Sequence, residues 1–338
     1  MTPQSPVRVA LDAMGGDRGP EVNVEGAVSA ARDLGIAVTL VGDEAVLSSQ
    51  LAARDTAGLP VAVCHAPEAV EMGESPTLAL RRKKRSSIRI GLELVRRGEA
   101  DAFVSAGNTG AVMATALMVL GPLPGVERPA IAVVMPTLTG RVVMLDVGAN
   151  VDCKARHLVQ FAIMGHVYAR NVLTQARPRV GLLSIGEEET KGNELTREAF
   201  KELGDESGLN FIGNVEGRDI YAGEADVVVC DGFTGNVALK ISEGLADALV
   251  HMLKEELRTD LLSRAGSLLL MPAFRRFKRR VDYAEWGGAP LLGVDGVCII
   301  SHGRSSAKAI RNALRVAAGC VSTQVIAGIR EGITGAVS

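Results

Sequence analysis

Seven short segments rich in glycine and small polar residues hold most of the side chains that could do chemistry. They read D-A-M-G-G-D (Asp12 to Asp17), S-A-G-N-T-G (Ser105 to Gly110), D-V-G-A-N (Asp146 to Asn150) and S-I-G-E-E-E-T-K-G-N-E (Ser184 to Glu194). The others are I-G-N-V-E-G (Ile212 to Gly217), C-D-G-F-T-G-N (Cys230 to Asn236) and S-H-G-R-S-S (Ser301 to Ser306). Glycine lets backbone N–H groups approach an anion, and a following helix N-terminus adds favourable partial charge. One such loop is mostly a turn. Seven of them, enriched in Asn, Asp, Ser and Thr, exceed what turn chemistry needs.

The usual catalytic engines are missing. There is no G-x-G-x-x-G or G-x-x-x-x-G-K-[ST] for nucleotides, and no G-x-S-x-G or H-E-x-x-H. His65, His157, His166, His251 and His302 lack metal-ligand spacing. What remains is an anion cradle of backbone amides with Lys191, Asn193 and Asn236 as apt donors. It suits a reaction whose nucleophile is itself an anion, and phosphate attack on a thioester fits. Phosphate is already nucleophilic near neutral pH, and a thiolate leaving group, with a reference pKa of about 8.5, needs little help from an acid. The protein must then hold phosphate in line with the carbonyl and stabilise the oxyanion. A plainer reading stays open at this point, with Lys191 a solvated loop lysine and the asparagines turn or cap residues.

Such loops need strands behind them. Val/Ile/Leu-rich runs at Val7–Leu11, Ala37–Val41, Val61–His65, Ala102–Ser105, Arg179–Ser184, Ala225–Cys230 and Val297–Ser301 alternate with helical stretches. That alternation predicts an α/β fold with a mostly parallel sheet covered by helices. Ile131–Pro136 and Val142–Val147, separated by T-L-T-G, predict an antiparallel hairpin on that sheet. Proline in the first turn marks helix starts at Gly19-Pro20 and Ser75-Pro76. In open α/β sheets, ligands bind outside the carboxyl ends of the strands, where these loops fall. No repeat or linker interrupts the chain, so residues 1–338 are expected to form a single domain.

Composition narrows the classes. Of 338 residues, 47% are apolar and 22% charged, ordinary for a soluble globular protein. Aromatics are 3% and the formal net charge is −2, which argues against base-stacking platforms and against a global pull toward nucleic acid or membrane. Five scattered cysteines with no C-x-x-C pair fit reduced thiols in a cytoplasmic protein. No signal-peptide pattern opens the sequence, and the longest apolar run, Ala111 to Leu120, is too short to span a bilayer.

The segments D-A-M-G-G-D, R-R-K-K-R-S-S, S-A-G-N-T-G-A, D-V-G-A-N-V-D, K-G-N-E, F-I-G-N-V-E-G-R-D, D-G-F-T-G-N and G-G-A-P-L-L-G, in this order, resemble the PlsX family of phosphate acyltransferases. They span Val7 to about Ala313. The resemblance implies a three-layer α/β/α fold related to phosphotransacetylases and isocitrate-dehydrogenase-like enzymes. It implies acyl transfer from acyl carrier protein to inorganic phosphate, without cofactor or metal, as the first step feeding phosphatidic acid synthesis. It also implies a homodimer working beside a membrane glycerol-3-phosphate acyltransferase. Carried onto this sequence, Lys191 and Asn236 become the catalytic candidates. Asp12, Gly15, Gly16, Asn108, Thr109, Asn150, Asn193, Asn214, Asp231 and Thr234 would line the substrate and phosphate cleft. Two stretches depart from the family pattern. Asp17-Arg18-Gly19-Pro20 stands where a His-Ala pair usually precedes the proline, and Arg304 enters a loop often filled by small polar residues.

Two basic segments are candidate contacts for the carrier protein or for a membrane. One is Arg81, Arg82, Lys83 and Lys84, on an expected helix. The other is an expected protruding helical hairpin at about 257–283. There Leu268 to Met271 would form an apolar tip, Pro272 a break, and Leu268, Leu270, Arg275, Arg276, Lys278 and Arg279 the contact residues. This hairpin would attach the protein peripherally to the inner face of the plasma membrane. The competing readings are an acyl-CoA phosphotransacetylase, a metal-dependent dehydrogenase, for which no clear aspartate set exists, and a non-catalytic scaffold for the carrier.

Overall fold

The computed structural model describes residues 6–257, 259, 261–281 and 287–336. The chain opens with β1 (Arg8–Asp12), α1 (Gly19–Leu34), β2 (Ala37–Gly42), α2 (Glu44–Ala52), β3 (Val61–His65), α3 (Pro76–Arg82), α4 (Ser87–Arg96), β4 (Ala102–Ser105) and α5 (Thr109–Val119). It continues with β5 (Ala130–Pro136), β6 (Arg141–Leu145), α6 (Ala155–Asn171), β7 (Arg179–Leu183), α7 (Glu194–Asp205), β8 (Asn210–Val215), α8 (Asp219–Ala222) and β9 (Val227–Val229). The remaining elements are α9 (Gly232–Glu256), α10 (Leu261–Val281), β10 (Ala289–Leu292), β11 (Val297–Ile300), α11 (Ala307–Ser322) and α12 (Val325–Ala336).

All the strands join one sheet in the order β3-β2-β1-β4-β11-β10-β5-β6-β9-β7-β8. The alternating residues of β1 explain the layers. Val9 and Leu11 enter the core under α1, α6, α11 and α12, whereas Ala10 enters the core under α3, α4 and α5. Successive strand side chains point to opposite faces, so a strand buried on both sides must be apolar at nearly every position. The result is the expected three-layer α/β/α arrangement.

Strand direction divides the sheet. β3, β2, β1, β4 and β11 run parallel, as do β6, β9, β7 and β8. Between them, β10 is antiparallel to β11 and to β5, and β5 is antiparallel to β6. The two halves therefore run in opposite senses, and their carboxyl ends open at opposite edges. This corrects the expectation of a single cleft. The loops after β1, β4 and β11 form one group, and those after β6, β7, β8 and β9 form another.

Three further differences have local causes. β10 (A-P-L-L) carries a proline and only four residues, too little pattern to read as a strand. β8 continues through Ile212 to Val215, past the expected loop start, because Gly213 at φ +94° and a register shift at Val180/Gly181 absorb the irregularity. The segment 261–281 is one helix that runs through Pro272, so Leu268 to Met271 lie mid-helix and form no tip. α9 ends at Glu256 and α10 begins at Leu261. Residues 282–286 of the expected hairpin lie outside the described residues.

Close helix crossings rely on glycine. At the α1–α11 crossing, a Cβ on Gly26 would lie 2.6 Å from Ile310 Cβ and 2.8 Å from the Ala307 carbonyl oxygen, which is backbone and cannot swing aside. Gly26→Ala should therefore lower stability by about 1–3 kcal/mol of overpacking, partly offset by up to about 1 kcal/mol of helix propensity. Urea unfolding midpoints measure the net sign. An increase would mean that α11 retreats without loss.

Candidate active site

Each loop group is organised by one buried carboxylate. At the first edge, Asp12 accepts hydrogen bonds from the Met14 and Gly15 amides, both at 3.2 Å, and from Ser105 Oγ at 2.7 Å. Gly15 packs so closely that a Cβ would fall 2.5 Å from Asp12 Oδ2, and Gly16 adopts φ +98°. Asn23 donates to the carbonyls of Ala13 (3.0 Å) and Gly15 (2.8 Å), fixing this turn. Asn108 caps α5 through the Ala111 amide (3.0 Å), and its Nδ2 holds the carbonyls of Met72 and Glu74, both at 2.9 Å. Thr109 is exposed beside it. Asp12 thus faces inward and serves as an anchor. Burial pushes its carboxyl above the ordinary range, with Ser105 and the two amides opposing.

At the second edge, Asp146 plays the corresponding part. Its Oδ1 accepts from the Ile131 and Ala149 amides, each at 3.0 Å. Its Oδ2 accepts from the Asn150 amide (2.6 Å) and side chain (3.0 Å). The Asn150 carbonyl then receives the Gly232 amide at 2.8 Å, joining this loop to the start of α9. Asp231 caps α9 through the Thr234 amide (2.9 Å) and hydroxyl (2.7 Å). Asn236, exposed on the first turns of α9, lies over Gly148, where a Cβ would be 3.6 Å from its Cγ.

The loop after β7 borders this group, because β7 is paired with β9 and neighbouring strands lie about 5 Å apart. Asn193 caps α7 through the Thr196 amide at 2.9 Å, and Asn214 Nδ2 donates to the Glu188 carbonyl at 3.0 Å. Asn214 Oδ1 and Ser184 Oγ are buried without partners. Lys191 is exposed, and its ammonium makes no ion pair among the described residues, although Glu187, Glu188 and Glu189 precede it. Glu187 instead meets Arg218 at 3.5 Å.

The structure therefore brings Lys191, Asn236, Asn150, Asn193, Asn214, Asp231 and Thr234 to one edge. Asp12, Gly15, Gly16, Asn108 and Thr109 gather at the other. Most of the asparagines and aspartates hold backbone in place, while Lys191 and Asn236 remain available. Asp146 was not singled out in the sequence, although its signal was the same as that of Asp12: an aspartate ending a strand before a glycine loop. The thiols here are poor nucleophiles. Burial pushes Cys153 up to about 11 and raises the fully buried Cys230 as well.

The expected contact residues fall in two places. Arg81 and Arg82 end α3, and Lys84 lies exposed in the turn that follows. Lys83 turns inward, with Nζ 2.6 Å from Glu74 Oε2 and 2.7 Å from the Ala69 carbonyl. Leu270 and Arg276 are exposed on α10. Leu268, Arg275, Lys278 and Arg279 belong to the same helix, but their side chains lie outside the described set.

The family described as fatty acid synthesis protein matches residues 7–328. The phosphate acyltransferase of Geobacter sulfurreducens is 57% identical over 311 residues, covering 92% of this chain and 90% of that protein. That of Trichlorobacter lovleyi is 55% identical over 325 residues, covering 96% and 94%. Among solved structures, a phosphotransacetylase from Streptococcus pyogenes superposes with a TM-score of 0.65 at 19% identity, covering 94% of this chain and 95% of that one. A branched-chain phosphotransacylase from Enterococcus faecalis gives 0.56 at 14% identity, covering 93% and 99%. The last two show a shared fold.

The raised pKa of Asp12 has a measurable sign. Its folded value lies above the unfolded value of about 3.9, so its stabilising contribution is complete below that pH and is lost as pH rises through the folded value. Asp12→Asn keeps an acceptor for the amides and removes the titration. Between about pH 4 and pH 7, urea midpoints of the wild type should fall relative to those of the variant. A constant difference across that range would show that Asp12 folds with an ordinary pKa.

Proposed function

The chain belongs to the phosphate acyltransferase family, and on that premise we propose that it moves a long-chain acyl group from acyl carrier protein to inorganic phosphate. A phosphate oxygen attacks the thioester carbonyl carbon, the C–O bond forms, and the C–S bond breaks as the oxyanion collapses. The thiolate leaves with the bonding pair and takes a proton from solvent. The acyl-phosphate formed is a substrate for a membrane acyltransferase that acylates glycerol 3-phosphate, the route toward phosphatidic acid.

One observation carries this reading. A lysine with no ion pair among the described residues and an exposed asparagine project from adjacent loops at an edge where the thiols are held protonated. Such a site supplies charge and placement and leaves the nucleophile to the substrate. Lys191 meets phosphate as a point charge, and Asn236 donates to phosphate or to the developing oxyanion. Asn150, Asn193, Asn214, Asp231 and Thr234 hold the backbone from which these two project.

Two surfaces support the finer parts. Phe233, Val237, Ile241, Leu245, Leu249 and Met252 are exposed every three or four residues along α9, a continuous apolar stripe suited to a second copy of the chain. On α10, Leu269, Leu270, Met271 and Phe277 are exposed in a segment that also carries Arg275, Arg276, Lys278, Arg279 and Arg280. That mixture suits shallow insertion among anionic headgroups, each basic residue contributing about 1 kcal/mol. No described helix is long and apolar enough to cross a membrane. Peripheral attachment at the cytoplasmic face would release a poorly soluble product beside the bilayer.

Lys191→Ala should reduce phosphate-dependent thiol release from palmitoyl-carrier about a hundredfold or more, the scale of losing one oxyanion donor, with an unchanged unfolding midpoint. A folded variant with wild-type turnover would remove Lys191 from the chemistry. The two surfaces separate by different readouts. Leu269→Glu with Leu270→Glu should abolish pelleting with anionic vesicles and spare soluble turnover, whereas Ile241→Glu with Leu245→Glu should sediment as a monomer. Pelleting at the wild-type level by the first variant would exclude α10 as the anchor, and a dimeric second variant would exclude α9 as the interface.

A further inference from the structure

We propose that the turn joining α3 to α4 is the docking surface for the acidic carrier protein, and that α10 is not; this rests on the acyl-carrier reading above. The five consecutive basic residues Arg81 to Arg85 do not behave alike. Lys83 is folded inward onto Glu74 and the Ala69 carbonyl. Arg81, Arg82, Lys84 and Arg85 are exposed, and their side chains make no ion pair among the described residues.

The neighbouring acids are already engaged. Glu74 Oε2 takes the Lys83 ammonium at 2.6 Å and the Glu71 amide at 3.3 Å. Glu68 Oε2 takes the Arg85 amide at 2.7 Å, and its carbonyl takes the Ser87 amide at 2.9 Å. Four outward cations therefore outnumber the nearby carboxylates of Glu68 and Glu74, the latter also attracting Arg82, and the net positive field attracts an acidic partner.

The backbone presenting them is held at several points. Lys83 N donates to the Ala79 carbonyl at 2.9 Å, and Ser86 caps α4 through the Arg89 amide at 3.4 Å. A β-bridge also ties Glu68 to Ser86. A solvated charge run needs none of this. Fixing the backbone beforehand lowers the ordering entropy that an interface must overcome.

Surface chemistry separates this turn from α10. Large apolar exposure on α3 and α4 is limited to Leu78, whereas α10 exposes Leu269, Leu270, Met271 and Phe277. Bilayer insertion needs apolar side chains together with cations, while docking of an acidic protein needs cations on a firm frame. The turn stands at the first loop edge, opposite the edge that carries Lys191 and Asn236. α3, α4 and α5 pack on the same face of the sheet as Ala238 and Leu239 of α9, the helix that carries Asn236. Pro76 of α3 abuts Gly110 at the start of α5, beside the loop that Asn108 clamps.

The test is a triple reversal, Arg81→Glu with Arg82→Glu and Lys84→Glu, and the matching triple Gln variant, both keeping Lys83. KM for palmitoyl-carrier should rise about tenfold or more in the reversal and less in the Gln variant, with kcat and KM for phosphate unchanged. Fluorescence anisotropy with labelled holo-carrier should show the same loss of affinity, and binding should become less sensitive to salt. Vesicle pelleting should match wild type. An unchanged KM for palmitoyl-carrier overturns the proposal. So does lost pelleting with unchanged KM, which would place lipid on this turn. If the reversal misfolds, the Gln variant and the salt dependence of wild-type anisotropy decide alone, and salt-insensitive carrier binding would sink the idea. The enzymatic reading fails separately: wild-type protein that binds holo-carrier at this turn but releases no thiol with phosphate keeps the dock and loses the reaction.

Discussion

At the end of β6, the carboxylate of Asp146 is fully enclosed and accepts four hydrogen bonds. A buried carboxylate without partners would be strongly destabilising, and each hydrogen bond to a charged group contributes about 1.5–3 kcal/mol. The geometry that satisfies it fixes Asn150, and the Asn150 carbonyl takes the first amide of α9. The fourth residue of α9, Gly235, passes against the Asp146 carbonyl oxygen, with no room for a Cβ. The start of α9, and with it the position of Asn236, follows from this one anchored carboxylate. Asp12 repeats the device at the other edge, with Gly15 as the residue that must lack a side chain.

Having two anchors follows from a sheet whose halves run in opposite directions. The β10–β5 pair reverses the strand sense, so each half has its own carboxyl edge and its own set of glycine loops. One edge collects the exposed Lys191 and Asn236. The other is bordered by the cationic turn between α3 and α4. Along α9 and α10 the exposed chemistry changes again, from an apolar stripe to apolar residues mixed with arginine. Three exposed surfaces of different character thus sit on one chain: the cationic turn, the apolar stripe of α9 and the mixed face of α10.

Much of this was legible in the residues. The apolar runs at β1, β2, β3, β4, β7, β9 and β11 have no polar position except at their ends and at Thr39 of β2, and T-L-T-G marks the β5–β6 hairpin. Cap roles were also readable, since N-E-L-T at Asn193 and D-G-F-T at Asp231 place an acceptor three residues before the amide it receives. Strand direction was not readable, because it turns on β10, whose four residues include a proline. The inward turn of Lys83 depends on Glu74 nine residues earlier and on a carbonyl fourteen residues earlier, contacts that no local pattern encodes. Pro272 misled for the opposite reason. Its penalty in a helix is real, but twenty other residues of α10 keep the helix running.

The proposed anion site stands beside a buried aspartate. Burial raises the Asp146 carboxyl, which favours its neutral form, and its four hydrogen bonds come from Ile131 and from the loop residues Ala149 and Asn150. Of the three glutamates before Lys191, Glu187 is drawn toward Arg218. Glu188 contributes its carbonyl to both Asn214 and the Lys191 amide, which shapes the loop whatever its carboxylate does. Among the described residues the Lys191 ammonium thus has no ion pair. On the proposed reading, a substrate that brings its own nucleophile needs a positive charge and an amide donor, and the two anchored loops would supply both from Lys191 and Asn236.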